Sequence, residues 1–367
     1  MKIIHSFFLT LLFHFSFGQN LPEIQTIINS EIDSGNIPAL ALAVIESGEL
    51  VHLSADGFKD LENKKEVDIH TAFHIASVSK TVICMAIFKL VEERAINLDV
   101  DINKYLPFTI QNPNINVDTI TVRELLIHRS GIRDNYELYG PYWRNPKGDP
   151  KEDLATFLES YLHLNGEMYE NQHFAKIDDR YAFSYCNTAY ALLGLIIETV
   201  TQTSLEDYCQ AQIFQKMGMA NTSWFLKHLD VEQVAKTYVP SKVLGFQFKG
   251  YNGYPDYPAG QLRTSISDFS KLILGYLNVG ETPFFLEEKT VNQITPEPPI
   301  SHKGFHTFFL IASNNNLYYT HSGGDVGVRT CIMLDIINKN AIILFLNTEF
   351  NWEALFNRIE LQAFSNE

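Results

Sequence analysis

The sequence contains one Ser-x-x-Lys string, Ser77-Val78-Ser79-Lys80, at the start of a segment with helical periodicity. Residues three apart on a helix share a face, so the Ser77 hydroxyl and the Lys80 amine are placed to meet. A serine hydroxyl becomes a useful nucleophile when a base lies within hydrogen-bond reach, and a helix N-terminus favours negative charge developing on its oxygen. The string therefore predicts Ser77 as a nucleophile with Lys80 as its base.

The Ser-x-x-Lys string is common by itself, because a chain of this composition contains about one such match by chance. The structural alternative is a Ser77 that caps the helix and a Lys80 that is solvated in the first turn. Lys80 can act as a base only in its neutral form, which burial favours. This string alone leaves both interpretations open.

A second candidate group is Tyr185-Cys186-Asn187, which precedes an apolar helical segment at 189–200. Alternate residues across a short turn point the same way, so Tyr185 and Asn187 would face a site while Cys186 faces away. A phenol can relay a proton to a leaving group, and an amide can hold a substrate carbonyl. The structural alternative is a buried tyrosine beside a capping asparagine, and Tyr-x-Asn occurs twice more in the chain.

The third group is His321-Ser322-Gly323-Gly324, which we expect at the end of a strand near the C-terminus. Two adjacent glycines, Gly323 and Gly324, let a substrate approach the backbone closely. The backbone amides of Gly324 and Ser77 could then donate together to an oxyanion. The three groups together predict a site for acyl transfer.

The elements that must position these groups follow from the hydrophobic periodicity, with strand patterns at both ends of the chain and helical patterns in the middle. We predict an α/β fold of the α+β kind, in which the N-terminal hairpin and the C-terminal strands form one antiparallel sheet flanked by helices, with a mostly helical lobe inserted. The predicted helices lie at 21–33, 77–95, 265–277 and 352–364, the hairpin at 39–45 and 50–54, the later strands at 305–312, 317–320, 329–336 and 341–346, and long loops at 136–153 and 241–260.

The composition excludes several classes of function. The chain has 28 Lys and Arg against 43 Asp and Glu, a net charge of −15, which argues against nucleic acid and anionic lipid as partners. Its four cysteines are scattered and form no metal-binding spacing, so we expect neither a metal nor another cofactor. A Cys84–Cys186 disulfide stays an open alternative to buried thiols.

The N-terminal segment is expected to be an export signal. Lys2 precedes an apolar run at 3–17, and Ser16-Phe17-Gly18 offers small residues to a signal peptidase. We therefore predict a signal peptide at 1–18 and a single bilobal catalytic domain at 19–367, exported to the periplasm or secreted. The alternative is an amphipathic first helix of the fold. No later stretch is apolar enough to predict stable membrane insertion.

The order of the motifs resembles the serine beta-lactamase and penicillin-binding superfamily, nearest to class C beta-lactamases, D-Ala-D-Ala peptidases and related esterases. The resemblance implies Ser77 as the acylated nucleophile, Lys80 and Tyr185 as the acid/base pair, Asn187 as a site amide, and an oxyanion hole at the amides of Ser77 and Gly324. The strings that carry it are FHIASVSK (73–80), TVRELLIHRSGI (121–132), FSYCNTAYALLG (183–194), MGMANTSW (217–224), PAGQLRTSISDF (258–269) and THSGGDVG (320–327).

The third motif departs from the family pattern, since His321 stands where the drug-hydrolysing members usually have Lys. A neutral histidine is a poorer anchor for a carboxylate than a lysine. We therefore expect hydrolysis of a D-amino-acid peptide or a small ester rather than of a beta-lactam. The alternatives are a class C beta-lactamase and a penicillin-binding sensor that is acylated without turnover. Asp325 either rims the site and favours a cationic substrate group or is a solvated turn residue.

Overall fold

The computed structural model describes residues 21–364 apart from 117–118, 139–143, 244, 297–306 and 314–315. The predicted signal peptide at 1–18 lies outside these residues. The α-helices are α1 (Leu21–Asp33), α2 (Ser79–Glu92), α3 (Val122–Leu126), α4 (Leu154–Leu162), α5 (Asn187–Thr201), α6 (Leu205–Cys209), α7 (Ile266–Leu277), α8 (Glu288–Ile294) and α9 (Trp352–Ala363). The strands are β1 (Ala39–Glu46), β2 (Glu49–Asp60), β3 (Lys65–Glu66), β4 (Ala72–His74), β5 (Tyr238–Ser241), β6 (Gly245–Phe248), β7 (Arg263–Ser265), β8 (Phe309–Ser313), β9 (Asn316–Asp325), β10 (Val328–Asp335) and β11 (Asn340–Leu346).

A seven-stranded antiparallel sheet in the order β3-β2-β1-β11-β10-β9-β8 joins the two ends of the chain. β1 pairs with β11 in the register Leu40 opposite Leu346 and Ala43 opposite Ile343. This pairing confirms the predicted sheet, in which the N-terminal hairpin lies beside the C-terminal strands.

Both faces of the central strands are buried, because helices cover the sheet on each side. Alternate β1 residues such as Leu40 and Leu42 pack in one core with α1 and α9. Their neighbours Ala41 and Ala43 belong to the larger core on the other face, shared with α2 and α7. A strand buried on both faces shows no polar alternation, which explains the continuous apolar run of β1.

The helical part of the chain is inserted between β4 and β7, which pair with each other. The pairs Ala72 with Ser265 and His74 with Arg263 bring the two ends of the insertion together. The amide of Ile75 extends this contact by donating to the carbonyl of Leu262, at 3.0 Å. The insertion therefore starts and ends at one place, directly before Ser77.

The structure differs from the predicted elements at short strands. The loop predicted at 241–260 contains part of a two-stranded hairpin, β5 and β6, and a 3-10 turn at Tyr257–Ala259. β9 ends at Asp325, directly after the third motif, so this motif lies at the end of a strand as predicted. In the described part of the chain no helix is long and apolar enough to cross a membrane.

Candidate active site

Ser77 lies in a tight turn between β4 and α2. The preceding residue, Ala76, has a φ of +47°, a left-handed conformation that is costly for a residue with a Cβ. The Ser79 hydroxyl stabilises this turn by donating to the Ala76 carbonyl at 2.6 Å and accepting from the Leu262 amide at 3.1 Å. The turn places Ser77 at the surface of the cleft while its neighbours Ala76 and Val78 are buried.

Strand β9 packs directly behind the turn. A Cβ on Gly323 would lie 2.3 Å from the Thr330 hydroxyl oxygen and 2.6 Å from the Ile75 carbonyl oxygen, so only glycine fits there. The Thr330 hydroxyl donates to the same Ile75 carbonyl at 2.7 Å. The predicted site residue Gly323 therefore permits the close approach of the sheet to the turn that carries Ser77.

Lys80 is fully buried beneath Ser77. Its Nζ donates to Ser77 Oγ at 3.2 Å, to Asn187 Oδ1 at 2.8 Å, and to the carbonyl of Ala259. All three acceptors are neutral groups, and no carboxylate of the described residues pairs with it. Because Lys80 is buried, the solvated alternative for this residue does not match its environment.

Asn187 is positioned by the start of α5. The thiol of Cys186 caps this helix by accepting from the Ala189 amide. The carboxylate of Asp134 accepts from the amide of Asn187 at 2.7 Å and also from Thr188. A carboxylate at a helix N-terminus satisfies amides that lack helical partners. The Asn187 side chain is thereby directed towards Lys80.

Tyr185 lies beside the Lys80 amine, whose Nζ is 5.0 Å from the centre of the tyrosine ring. The ring packs on the imidazole of His128 with centroids 4.4 Å apart, and 37% of Tyr185 is exposed. His128 Nδ1 also accepts from the Cys186 amide. Burial and the nearby charge of Lys80 hold the pKa of His128 well below its usual value. A neutral imidazole therefore supports the tyrosine from below.

His321 is buried at the same place in the sheet. Its Nδ1 lies 2.8 Å from the carbonyl oxygen of Ser322. Burial, aided by the positive charge of Lys80, lowers the pKa of His321 to about 3. The imidazole is consequently neutral at physiological pH and cannot attract a substrate carboxylate as a lysine would.

A cleft of about 330 Å³ opens beside Ser77. Three of the predicted site residues, Ser77, Asn187 and Gly324, lie on its walls. Lys80, Gly323 and His321 are buried, and Tyr185 does not line the cleft. The cleft is lined by Ala76, Ser77, Asn187, Tyr254, Asp256, Ala259, Gly260, Gly324 and Asp325. The structure thus brings all three sequence groups to one place.

Two acidic residues of the site, Asp134 and Asp256, were not predicted. Asp134 comes two residues after the string TVRELLIHRSGI, and Asp256 precedes the string PAGQLRTSISDF. Neither residue has a motif of its own, because each acts through contacts made between distant parts of the chain. The sequence indicates only that both residues lie in loops, one following Gly131 and the other preceding Gly260.

The described residues contain no group of three or more His, Cys, Asp and Glu side chains that could hold a metal ion. The four cysteines are free and buried, including the Cys84 and Cys186 thiols. Cys186 packs at the start of α5, where burial and the charge of Asp134 raise the pKa of its thiol well above the usual value.

Comparisons with known proteins agree with the motifs. The family model described as Beta-lactamase matches residues 24–364. "Protein flp" of Staphylococcus aureus (strain MRSA252) is 25% identical over 332 residues, which cover 89% of this chain and 63% of that protein. The chain thus spans less than two thirds of the length of this relative.

Solved structures show the same fold. The D-amino acid amidase of Ochrobactrum anthropi SV3, complexed with D-phenylalanine, superimposes with a TM-score of 0.74 at 21% identity, covering 95% of this chain and 99% of the amidase. EstCE1, described as a hydrolase with promiscuous acyltransferase activity, has a TM-score of 0.70 at 18% identity and covers 94% of this chain and 97% of its own. The predicted fold and the resemblance are confirmed.

Proposed function

Because this chain belongs to the beta-lactamase family, we propose that it is an exported serine hydrolase that cleaves an amide or ester through an acyl-enzyme on Ser77. The observation that carries the proposal is the buried cluster in which Lys80 Nζ contacts both Ser77 Oγ and Asn187 Oδ1. A nucleophile, a base and an orienting amide within hydrogen-bond reach are the components that serine acyl transfer needs.

The reaction follows from the positions of these groups. Once Lys80 is in its neutral form, it accepts the Ser77 proton as Oγ bonds to the substrate carbonyl carbon, and the amides of Ser77 and Gly324 stabilise the oxyanion. The proton passes through Lys80 and Tyr185 to the leaving nitrogen or oxygen, and the bond from this atom to the carbonyl carbon breaks. A water molecule then attacks the acyl-enzyme, gives a proton to the same pair, and releases the acid while Ser77 regains its proton.

Within this reaction we propose a D-amino-acid peptide or a small ester as substrate in preference to a beta-lactam. The support is the buried, neutral His321, which gives a substrate carboxylate no cation. The structural likeness to a D-amino acid amidase and to the hydrolase EstCE1 agrees with this choice. Export is proposed from the N-terminal segment. Sequencing the N-terminus of the mature protein tests whether the signal peptide is cleaved after Gly18.

The test combines labelling with turnover. A fluorophosphonate and a fluorescent penicillin are incubated with the purified protein and with Ser77→Ala, and the adducts are followed by mass spectrometry over time. We expect labelling on Ser77 that decays, and none in the variant. Lasting penicillin labelling would instead indicate a sensor, and no labelling by either probe would refute the nucleophile.

The substrate class is then decided by comparing kcat/KM for nitrocefin, p-nitrophenyl esters and D-amino-acid peptides. We expect an ester or a peptide to be the best substrate. Nitrocefin turnover above all the others would instead support a class C beta-lactamase and would overturn the interpretation of His321.

A further inference from the structure

In the proposed reaction, the cleft beside Ser77 would receive the acyl side of the scissile bond. Its walls include Ser77 and Gly324, where the carbonyl is held, but not Tyr185 or Lys80. Since the leaving group must be near Tyr185 to receive its proton, it lies outside this cleft. The part of the substrate that stays on Ser77 as the acyl group therefore occupies the cleft.

The carboxyl group of Asp256 lies on the wall of this cleft. Only 2% of the residue is exposed, and within the described residues its Oδ2 has no hydrogen-bond partner. The role proposed for Ser77, Lys80 and Tyr185 makes no use of it. Burial and the negative charge of Asp134 raise the pKa of Asp256 to about 8. At neutral pH the cleft therefore holds Asp256 mainly as the neutral acid, and a cation that pairs with the carboxylate would favour release of this proton.

Asp325 provides a second carboxyl group on the same cleft. Its Oδ2 accepts from the Asn252 amide at 2.9 Å and lies 3.4 Å from His74 Nε2, and its Oδ1 accepts from the amide of Val326. Burial raises the pKa of Asp325 to about 7 and holds that of His74 well below its usual value. The Asp325 carboxyl is thus held in place by neutral groups.

The nearby arginines do not neutralise these two carboxyl groups. Arg144 donates to Asn252 Oδ1 and to the carbonyl of Lys249. Arg263 donates to the carbonyls of Gly148 and Asn252. No described ion pair joins either arginine to Asp256 or Asp325, although the positive charge of Arg144 opposes the rise in the pKa of Asp325 and that of Lys80 opposes the rise for Asp256.

We propose that the cleft binds an ammonium group carried by the acyl part of the substrate, with Asp256 as its main partner and Asp325 as the second. The substrates of this class are amides and esters of amino acids, or peptides cleaved after a residue with a free amino group. This inference rests on the proposed acyl transfer at Ser77. It adds the chemical feature that selects the substrate: a positive charge close to the scissile carbonyl.

The first test uses the unmodified protein and two esters of matched shape. D- and L-phenylalanine methyl esters carry the ammonium group, whereas methyl 3-phenylpropionate lacks it. We expect kcat/KM to be about 10- to 100-fold higher for one or both phenylalanine esters, as for a charge-assisted contact. Hydrolysis of the uncharged ester at an equal or higher kcat/KM would overturn the inference.

The second test removes the Asp256 carboxylate. Asp256→Asn should lower the ratio of kcat/KM for the phenylalanine ester to kcat/KM for methyl 3-phenylpropionate by about tenfold or more. Asp33→Asn, an equal charge change on the exposed end of α1, should alter neither value. An equal loss on both esters in Asp256→Asn would indicate a structural role and refute the proposal, as would no loss.

The two proposals fail differently. Labelling of Ser77 by a fluorophosphonate, together with turnover of the uncharged ester but no preference for the ammonium, would refute the role of Asp256 and leave the serine hydrolase intact. Absence of both labelling and turnover would refute the hydrolase proposal and the ammonium site with it.

Discussion

Lys80 is a fully buried cation-forming side chain whose three acceptors are all uncharged. Ring contacts surround it as well, with Nζ 5.0 Å from the Tyr185 ring centre and 5.5 Å from that of Tyr190. These contacts hold the amine beside Ser77 Oγ, as the proposed role of a base requires.

We predict that Lys80→Met retains the fold and loses the reaction. Methionine fills a similar apolar volume but has no proton acceptor, so kcat/KM for any accepted ester should fall by about 10²- to 10⁴-fold. Lys89→Met, which changes a partly exposed lysine on the same helix, is the matched control. Fluorophosphonate labelling of Lys80→Met at the rate of the unmodified protein would show that Lys80 is not the base.

The residues of this site were predictable where a motif carries the chemistry. Ser77, Lys80 and Asn187 meet because two short strings each place a polar group at a helix start. Asp134 and Asp256 were not predictable, since a lone aspartate in a loop has no local signature. Their positions depend on how loops from separate parts of the insertion close around the cleft.

Among the contacts between elements, the one between β9 and the turn that carries Ser77 is especially close at Gly323. We predict that Gly323→Ala destabilises the protein by about 1–3 kcal/mol, because the new Cβ would overlap Thr330 and the Ile75 carbonyl. The same change should lower kcat, since the strand that carries Gly324, the proposed oxyanion donor, must move. Thermal unfolding and ester kinetics measure the two effects.

Gly324→Ala is the control for this prediction. A Cβ at Gly324 would lie 3.3 Å from Nη1 of Arg329, the end of a flexible side chain that can shift. Its melting temperature should therefore stay close to that of the unmodified protein. Equal destabilisation by Gly323→Ala and Gly324→Ala would contradict the close contact as the cause.

Helices and long strands were predictable from periodicity, and short strands were not. The prediction for 21–33 matches α1, and that for 352–364 exceeds α9 by one residue. β4 and β7 have three residues each and are defined only by pairing with each other. The apolar period of a strand cannot be recognised over three residues, so the pair that anchors the helical insertion was missed.

The pH dependence of stability is a property of the whole molecule, because two sets of buried groups act in opposite directions. Carboxyls with raised pKa keep a proton that the unfolded chain has lost, so the free energy of unfolding falls as the pH rises towards their pKa. These are Asp256 with a pKa of about 8, Asp325 with a pKa of about 7, and Glu198.

Histidines with lowered pKa lack a proton that the unfolded chain binds below pH ~6.5, so the free energy of unfolding falls as the pH drops. These are His52, His74, His128, His173 and His321.

We therefore predict that the free energy of unfolding is largest near pH ~6.5. Around this pH the loss caused by protonation of histidines in the unfolded chain fades out, and the loss caused by ionisation of carboxyls in the unfolded chain is still incomplete. Above this pH the loss should approach ~1.4 kcal/mol per unit for each proton until the carboxyls ionise. Thermal unfolding from pH 5 to 9 at constant ionic strength measures the curve, and Asp256→Asn should flatten its upper side. A melting temperature that rises steadily from pH 6.5 to 8 would contradict the assignment.

The position of β1 inside the sheet also bears on the order in which the molecule can form during synthesis. β1 lies between β2 and β11, and the amide of Ala39 donates to the side chain of Asn347, 308 residues later. A ribosome must therefore have made nearly the whole chain before β1 gains its second neighbour. Pairing over such a distance is slow, so the sheet is completed late, and β1 lacks its second neighbour until β11 has been made.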